Sequence, residues 1–409
     1  MIKERHISDS TLNARPLEGM KVLELGQILA GAFTTTILGY FGAEVIKVEP
    51  PGEGDPIRNW RTIKDGTSLW WWSLARNKQS ITINLKSKEG QQLVRQLCEQ
   101  CDVLIENFRP GQMEKWGLGP TEIKQINPSL IYTRISGYGQ TGPYSSYPGF
   151  ASVCEGFGGF RYVNGEPGEI PVRPNLSLGD TLAGIHAALG VCMAYIRCLK
   201  EGEGKGQVVD VSIFESVFNM LEAVVPEYSG SGEVREPSGS TIKGIVPSNT
   251  YRCKDGKLII IGANTKGMFE RLMRVIGRDD FADDERLAIN SERVIHEKEI
   301  DAAIAEWVET LRLKEAIAIL QEQAVAAGPI LNVKDMFADP HYQARGAFEE
   351  VSVNGEILHI PSIAPRLEET PGRTDRPGPQ LGEHTDTVFK NLLGLDDEAL
   401  KRLRHRGAI

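Results

Sequence analysis

Several things are scarce in this chain, and each absence narrows the chemistry open to it. No stretch approaches ~18 uninterrupted apolar residues, the length a helix needs to cross a bilayer. The opening MIKERHISDSTLNARPLEGM carries charges but no apolar core of signal-peptide length, and its acidic residues weigh against a transit peptide; a cytoplasmic protein is expected. Cysteine is sparse: Cys98, Cys101, Cys154, Cys192, Cys198 and Cys253 are scattered over 409 residues, unlike a disulfide framework or a zinc ribbon. Cys98 and Cys101 do form a C-x-x-C, but it ends a predicted helix and has no second pair nearby, so buried thiols are expected there and no metal site. The first predicted turn, Gly26-Gln27-Ile28-Leu29-Ala30-Gly31, is not the G-x-G-x-x-G of dinucleotide binders, and no Walker P-loop occurs either. Long single-sign charge runs are also missing. The net charge of −9, from 46 basic and 55 acidic residues, sets the bulk field against nucleic acid and anionic membrane as partners. A small anion remains possible, because local cations and helix N-termini decide that.

What is present is an α/β alternation. At 409 residues the chain exceeds the size at which one core keeps growing, and its 41% apolar and 25% charged residues are those of an ordinary globular protein. KVLELG, EVIKVE, SITINL at 80–85, VLIENF and LIYTRISGY read as strands. Helical patterns separate them: LAGAFTTTILGYFGA, a helix from Lys88 to about Cys101, and a short one at Gln112 to Trp116. Such alternation implies parallel pairing with helices on both faces, and ligands bind beyond the carboxyl ends of the strands. VVDVSI and FESVFNMLEAVV follow, and YRCKDGKLIIIGA then reads as a hairpin turning at Lys254-Asp255-Gly256, ahead of helical patterns at 266–276, 291–310 and 313–326. The expected organisation is a large α/β domain over 1–225, a small α+β domain with linkers over 226–330, and a return of 331–409 to the large domain.

The chemistry centres on Leu178-Gly179-Asp180-Thr181-Leu182-Ala183-Gly184. From Thr181 onward the apolar residues recur at helical spacing, so Asp180 is expected at the helix start, with unpaired backbone N–H groups around it. Taken alone it reads as an N-cap. Asn107 and Arg109, in Asn107-Phe108-Arg109-Pro110-Gly111, fall at the carboxyl end of a predicted strand, where a nucleotide should lie. Gly137-Tyr138-Gly139-Gln140-Thr141-Gly142-Pro143 is too glycine-rich to continue its strand and is expected as a loop of close approach.

In this order, PLEGMKVLELG, LGYFGAEVIKVEPP, NKQSITINLKS, DVLIENFRPG, GYGQTGP, LGD and the late LGEHT at 381–385 resemble the class III CoA-transferases, the family of formyl-CoA transferase and carnitine CoA-transferase. The resemblance implies a Rossmann-like parallel sheet with a smaller α+β domain, in a ring-shaped chain interlocked with a second copy as a homodimer. It implies no tightly bound cofactor, with coenzyme A and acyl-CoA as substrates beside a carboxylic acid. Asp180 takes the place of the family's covalent nucleophile. Leu29, Ala30, the segment Ile83 to Lys86, Asn107, Phe108, Arg109 and Lys115 take CoA-contacting positions, and Tyr138, Gly139 and Gln140 lie beside the thioester. Gly239 and Gly244 are the expected hinges of a glycine loop. A carboxylate suits this chemistry because it is ionised at neutral pH and needs no general base.

Two other functions are weighed. An α-methylacyl-CoA racemase would need a histidine base where Gly149-Phe150-Ala151 stands, and phenylalanine takes no proton. A non-catalytic CoA-binding protein would leave Asp180 idle. Arginines near the motifs (Arg58, Arg61, Arg76, Arg134, Arg161 and Arg173) exceed what a monocarboxylate needs. FASVCEGFGGFRYVNG and PVRPNLSLGD also resemble succinyl-CoA-dependent transferases acting on malate, citramalate, mesaconate, itaconate or hydroxymethylglutarate. The expected reaction is therefore transfer of CoA from succinyl-CoA to a dicarboxylate or hydroxydicarboxylate.

Overall fold

The computed structural model describes residues 14–202 and 204–409. It resolves into two units. The larger contains the described residues up to Phe160, Pro174–Leu221 and Ala344–Ile409; the smaller contains Arg161–Arg173 and Glu222–Gln343.

The larger unit is built on six parallel strands: β1 (Lys21–Glu24), β2 (Glu44–Glu49), β3 (Lys78–Thr82), β4 (Val103–Glu106), β5 (Ile131–Ser136) and β6 (Val208–Ser212). Their spatial order is β3-β2-β1-β4-β5-β6, with Val22 opposite Val45 on one side and Val103 on the other. This is a doubly wound sheet whose order reverses between β1 and β4, and a crevice opens there at the carboxyl ends. Alternation along the strands separates two cores. Leu23, Ile46 and Leu104 join Leu93, Leu97 and the late residues Phe389 and Leu400 on one face. Val22, Val45 and Val103 face the helices α1 (Ala30–Tyr40) and α2 (Leu178–Glu201) on the other.

Local differences from the sequence expectation have physical causes. The third strand ends at Thr82 rather than Leu85, because Asn84 turns to the C-terminal backbone: its N–H donates to Ala408 O at 2.8 Å and its side-chain amide to Gly407 O at 3.1 Å. Helix α2 starts at Leu178 with Ser177 as N-cap, so Asp180 lies inside the first turn and does not cap the helix. By length and mean hydropathy α2 is apolar enough to cross a membrane, with a third of that window buried. Ala183, Ala187, Val191 and Ala194 form its buried stripe against α1 and the sheet, small residues that permit close approach. Cys98 and Cys101 are buried as thiols, and burial pushes Cys101 up to about 12.

The smaller unit has a three-stranded antiparallel sheet in which Leu258–Gly262 lies between Ser248–Arg252 and Ala327–Pro329. Helices Lys266–Val275, Glu297–Glu309 and Leu313–Glu322 supply Phe269, Ile300, Ile304 and Leu320 to its core beside Ile259 and Ile261.

Charge is also buried inside the larger unit. Lys47, at the centre of β2, places Nζ 2.8 Å from Glu24 Oε1, 2.8 Å from Asp55 Oδ2 and 2.9 Å from Gly26 O. Lys78 Nζ lies 3.0 Å from the second Glu24 oxygen and donates to Ala32 O at 2.7 Å. Thr35 donates to Glu24 at 2.6 Å. Next to this set, Glu49 accepts from Arg58 at 2.7 and 2.8 Å and from Ser80 at 2.5 Å. Burial alone would raise the Glu24 carboxyl, but Lys47 and Lys78 outweigh it and hold it at about 2.

Two outcomes follow. Lys47→Met leaves Glu24 and Asp55 buried with too little counter-charge, and unfolding experiments should show a loss of about 3–5 kcal/mol; a loss below about 1 kcal/mol would contradict this role. Because the folded Glu24 value lies below the unfolded value of about 4.3, its contribution is full above that pH and lost as pH falls toward 2. Glu24→Gln should flatten that part of the acid-unfolding profile.

Candidate active site

The crevice between β1 and β4 is bounded by the turn that leaves β1, and buried side chains fix this turn atom by atom. Asn107, just past β4, accepts from Gln27 N at 2.8 Å and donates to Gln27 O at 2.7 Å. Lys47 holds Gly26 O, and both Asp55 carboxylate oxygens accept from Ile28 N at 3.2 Å. Ile28 has φ +68, a strained state for a β-branched residue that persists only where the surroundings over-determine it. A Cβ on Gly26 would meet Asn107 Oδ1 and Gly31 Cα at 3.3 Å, so glycine suits the close crossing. The turn delivers Leu29 and Ala30 to the start of α1, which has no side-chain cap. Its first N–H groups are therefore positioned to favour an anion.

Asp180 lines a cavity of about 180 Å³ together with Gln27, Leu29, Ala30, Asn107 and Arg109. Phe108, Ser136, Gly137, Gly149 and Phe150 complete much of the wall. The Ser136 hydroxyl is buried there without a hydrogen-bond partner among the described residues. Gly137 and Gly149 pack backbone to backbone: a Cβ on Gly149 would come within 2.9 Å of Gly137 Cα and 3.1 Å of Cys154 Sγ. Asp180, in the first turn of a 24-residue helix, sits in the positive end of its dipole. The adjacent Gly179 N–H donates to Glu155 Oε1 at 3.2 Å, which removes it as a free oxyanion donor.

A second cavity of about 530 Å³ shares Gln27 and Phe108 with the first. Ile83 and Lys86 line it with Pro50, Pro51, Leu85 and Trp116, and Asn84 and the carboxylates of Glu49 and Glu53 also border it, so its walls are part apolar and part polar. Thus Asp180, Leu29, Ala30, Asn107, Phe108 and Arg109 are brought together, with Ile83 and Lys86 in the adjoining space. Lys115 ends the short helix Gln112–Lys115 and lines neither cavity, and neither do Tyr138, Gly139 or Gln140. Tyr138 lies in an aromatic group with Tyr144, Tyr147, Phe157 and Phe214, while Gln140 N donates to Asp210 at 3.1 Å. His186 bonds its own helix at Leu182 O, 2.9 Å away.

The arginines offered above for a second carboxylate need correction. Arg58 is paired with Glu49 and stacks on Trp71 at 3.6 Å. Arg76 donates to Ser73 O and Pro361 O at 2.7 Å, and Arg134 pairs with Glu106 at 2.8 Å and Glu114 at 2.6 Å. Buried guanidinium groups need such partners, so these three are committed inside the fold. Arg161 and Arg173 belong to the smaller unit. Arg61 lines a cavity beside α2. Lys86, Arg109 and Lys115 have no ion pair among the described residues.

The CoA-transferase family III model matches residues 17–385, and the chain belongs to that family. The chain is 44% identical over 398 residues to the succinyl-CoA–D-citramalate CoA-transferase of Chloroflexus aurantiacus, covering 97% of this chain and 98% of that protein. It is 34% identical over 400 residues to the human succinyl-CoA:glutarate CoA-transferase, covering 97% and 90%. Among solved structures, a CAIB/BAIF family protein from Brucella suis superposes with a TM-score of 0.82 at 34% identity, covering 93% of this chain and all of that one. The protein is a CoA-transferase.

Asn107→Leu leaves both polar groups of Gln27 unpaired at the crevice. CoA-transfer kcat/KM should fall by about 10- to 100-fold, the range of one or two lost buried hydrogen bonds. Unchanged kinetics in a folded variant would show that the turn does not need this clamp.

Proposed function

We propose that this chain transfers CoA from succinyl-CoA to a dicarboxylic or hydroxydicarboxylic acid, with Asp180 as the covalent carrier. The observation that carries this reading is that Asp180 lines a small cavity at the switch point, which shares Gln27 and Phe108 with a larger cavity assigned here to the body of CoA. Relatives named for citramalate, malate and glutarate support the choice of acids.

An Asp180 carboxylate oxygen attacks the thioester carbonyl; the C–S bond breaks and CoA leaves as thiolate, giving a mixed anhydride. The thiolate attacks the Asp180 carbonyl, releasing succinate and forming an aspartyl-CoA thioester. The acceptor carboxylate then attacks that thioester, regenerating an anhydride and thiolate. Finally the thiolate attacks the acceptor's carbonyl, yielding the new acyl-CoA and free Asp180. Both intermediates hydrolyse, so the bound substrates must keep water from Asp180 while they last. Arg109 and Lys86, with Lys115 nearby, are cations for the phosphate groups of CoA. Leu29, Ala30, Ile83, Asn107 and Phe108 position the thioester arm, and Ser136 and Gly137, just before Tyr138, Gly139 and Gln140, border it. Phe150 on the cavity wall gives a racemase no proton acceptor.

Asp180→Ala should abolish transfer, by on the order of 10⁴-fold or more, while CoA affinity measured by calorimetry changes by less than about threefold. Residual transfer above one tenth of wild type would overturn the carrier role.

A second copy of the chain is the proposed partner, in the interlocked form the resemblance implies. The outer face of α2 presents Ile185, Leu189, Met193, Ile196 and Leu199, all about half exposed or more, as one continuous apolar stripe. Sedimentation should give twice the 45.1 kDa chain mass. The double substitution Leu189→Glu with Met193→Glu should disrupt the assembly; a wild-type monomer would contradict it.

A further inference from the structure

A third cavity, of about 630 Å³, shares Leu29 with the Asp180 cavity and runs along the first two turns of α2 past Leu178, Thr181 and Ile185. Its walls are mostly apolar, with Phe33, Ile37 and Trp70 among them. The polar groups on those walls are largely occupied: Thr181 Oγ1 donates to Ser177 O at 2.9 Å, Thr36 Oγ1 to Leu74 O at 2.5 Å, and Arg76 is held by Ser73 and Pro361. Arg61 differs. It lines the cavity with its guanidinium carbon 4.7 Å from the centre of the Trp70 ring, and it has no ion pair or hydrogen bond among the described residues. Its backbone has φ +61, a left-handed state that is uncommon for a non-glycine residue.

An unneutralised guanidinium is thus stacked in place on the wall of an apolar cavity that adjoins the carboxylate carrier. We propose that Arg61 binds the far carboxylate of the transferred acyl group and is the residue that selects dicarboxylic acids. The near carboxylate reacts at Asp180, the carbon chain lies along Leu29, Thr181 and Trp70, and the far carboxylate takes the paired N–H donors of Arg61. A monocarboxylic acid of equal length would forgo that charge-assisted pair and gain nothing in its place, so the dicarboxylate is preferred. This assignment rests on the reading of Asp180 as the carrier.

The test is acyl exchange with a single acid, so that donor and acceptor make the same demand. Wild type, Arg61→Met and Arg61→Lys are assayed for exchange of labelled glutarate with glutaryl-CoA and of labelled valerate with valeryl-CoA, with Asp180→Ala alongside. The expected result is a preference for the dicarboxylate that collapses by about 10- to 100-fold in Arg61→Met, chiefly through KM for glutarate, with partial recovery in Arg61→Lys. An unchanged preference in Arg61→Met, with Asp180→Ala inactive, would overturn the Arg61 assignment alone. Exchange that survives in Asp180→Ala would overturn the carrier reading and this assignment with it.

Discussion

The ammonium of Lys47 is the point on which the site depends. It sits in the middle of a central strand, where both faces of the sheet are covered, and it is held by Glu24, Asp55 and the carbonyl of Gly26. Burying an ion there carries a desolvation cost of several kcal/mol, which only closely fitted partners offset. Each partner in turn fixes something else. Glu24 anchors Lys78 and Thr35 beneath α1; Asp55 holds the strained Ile28; Gly26 and Gln27 are thereby set against Asn107. The cluster ties a strand-end loop, normally a mobile element, into the wall of the cavity that Asp180 lines.

From that wall the distribution of charge becomes intelligible. Arg58, Arg76 and Arg134 are tied to carboxylates or carbonyls and hold segments together. Arg61, Lys86 and Arg109 line cavities and carry no such partner. The first set supports the architecture, whereas the second is available to an anionic substrate. The three cavities share lining residues, Gln27 and Phe108 on one side and Leu29 on the other, and in the proposed function the acyl-CoA lies along them past Asp180.

Much of this was legible in the chain. Alternating apolar segments gave the parallel sheet, and the position of Asn107 directly after β4 placed it at the crevice. Asp180 stands out in the sequence by its setting among small residues, although its place within the first turn does not, since Ser177 competes as N-cap and periodicity does not distinguish them. The arginines misled because a guanidinium reads the same in sequence whether a buried carboxylate faces it or not. Lys47 did carry a signal, a lone charge inside the apolar run EVIKVE, which a central strand tolerates only with a buried partner. Its partner Asp55 lay in a loop with no periodicity to locate it. Tyr138 to Gln140 were expected beside the reacting group, whereas the cavity wall here is made by Gly137 of that loop and by Ser136 before it.

The central claim is that an oxygen of Asp180 becomes part of the transferred system at each turnover. The direct measurement supplies an acceptor acid whose carboxylates carry heavy oxygen, allows a single turnover with unlabelled succinyl-CoA, and locates the label by mass spectrometry of peptides. The account predicts one heavy oxygen in the carboxylate of Asp180 and none in the neighbouring Glu155. Complete turnover with no label at Asp180 would contradict it.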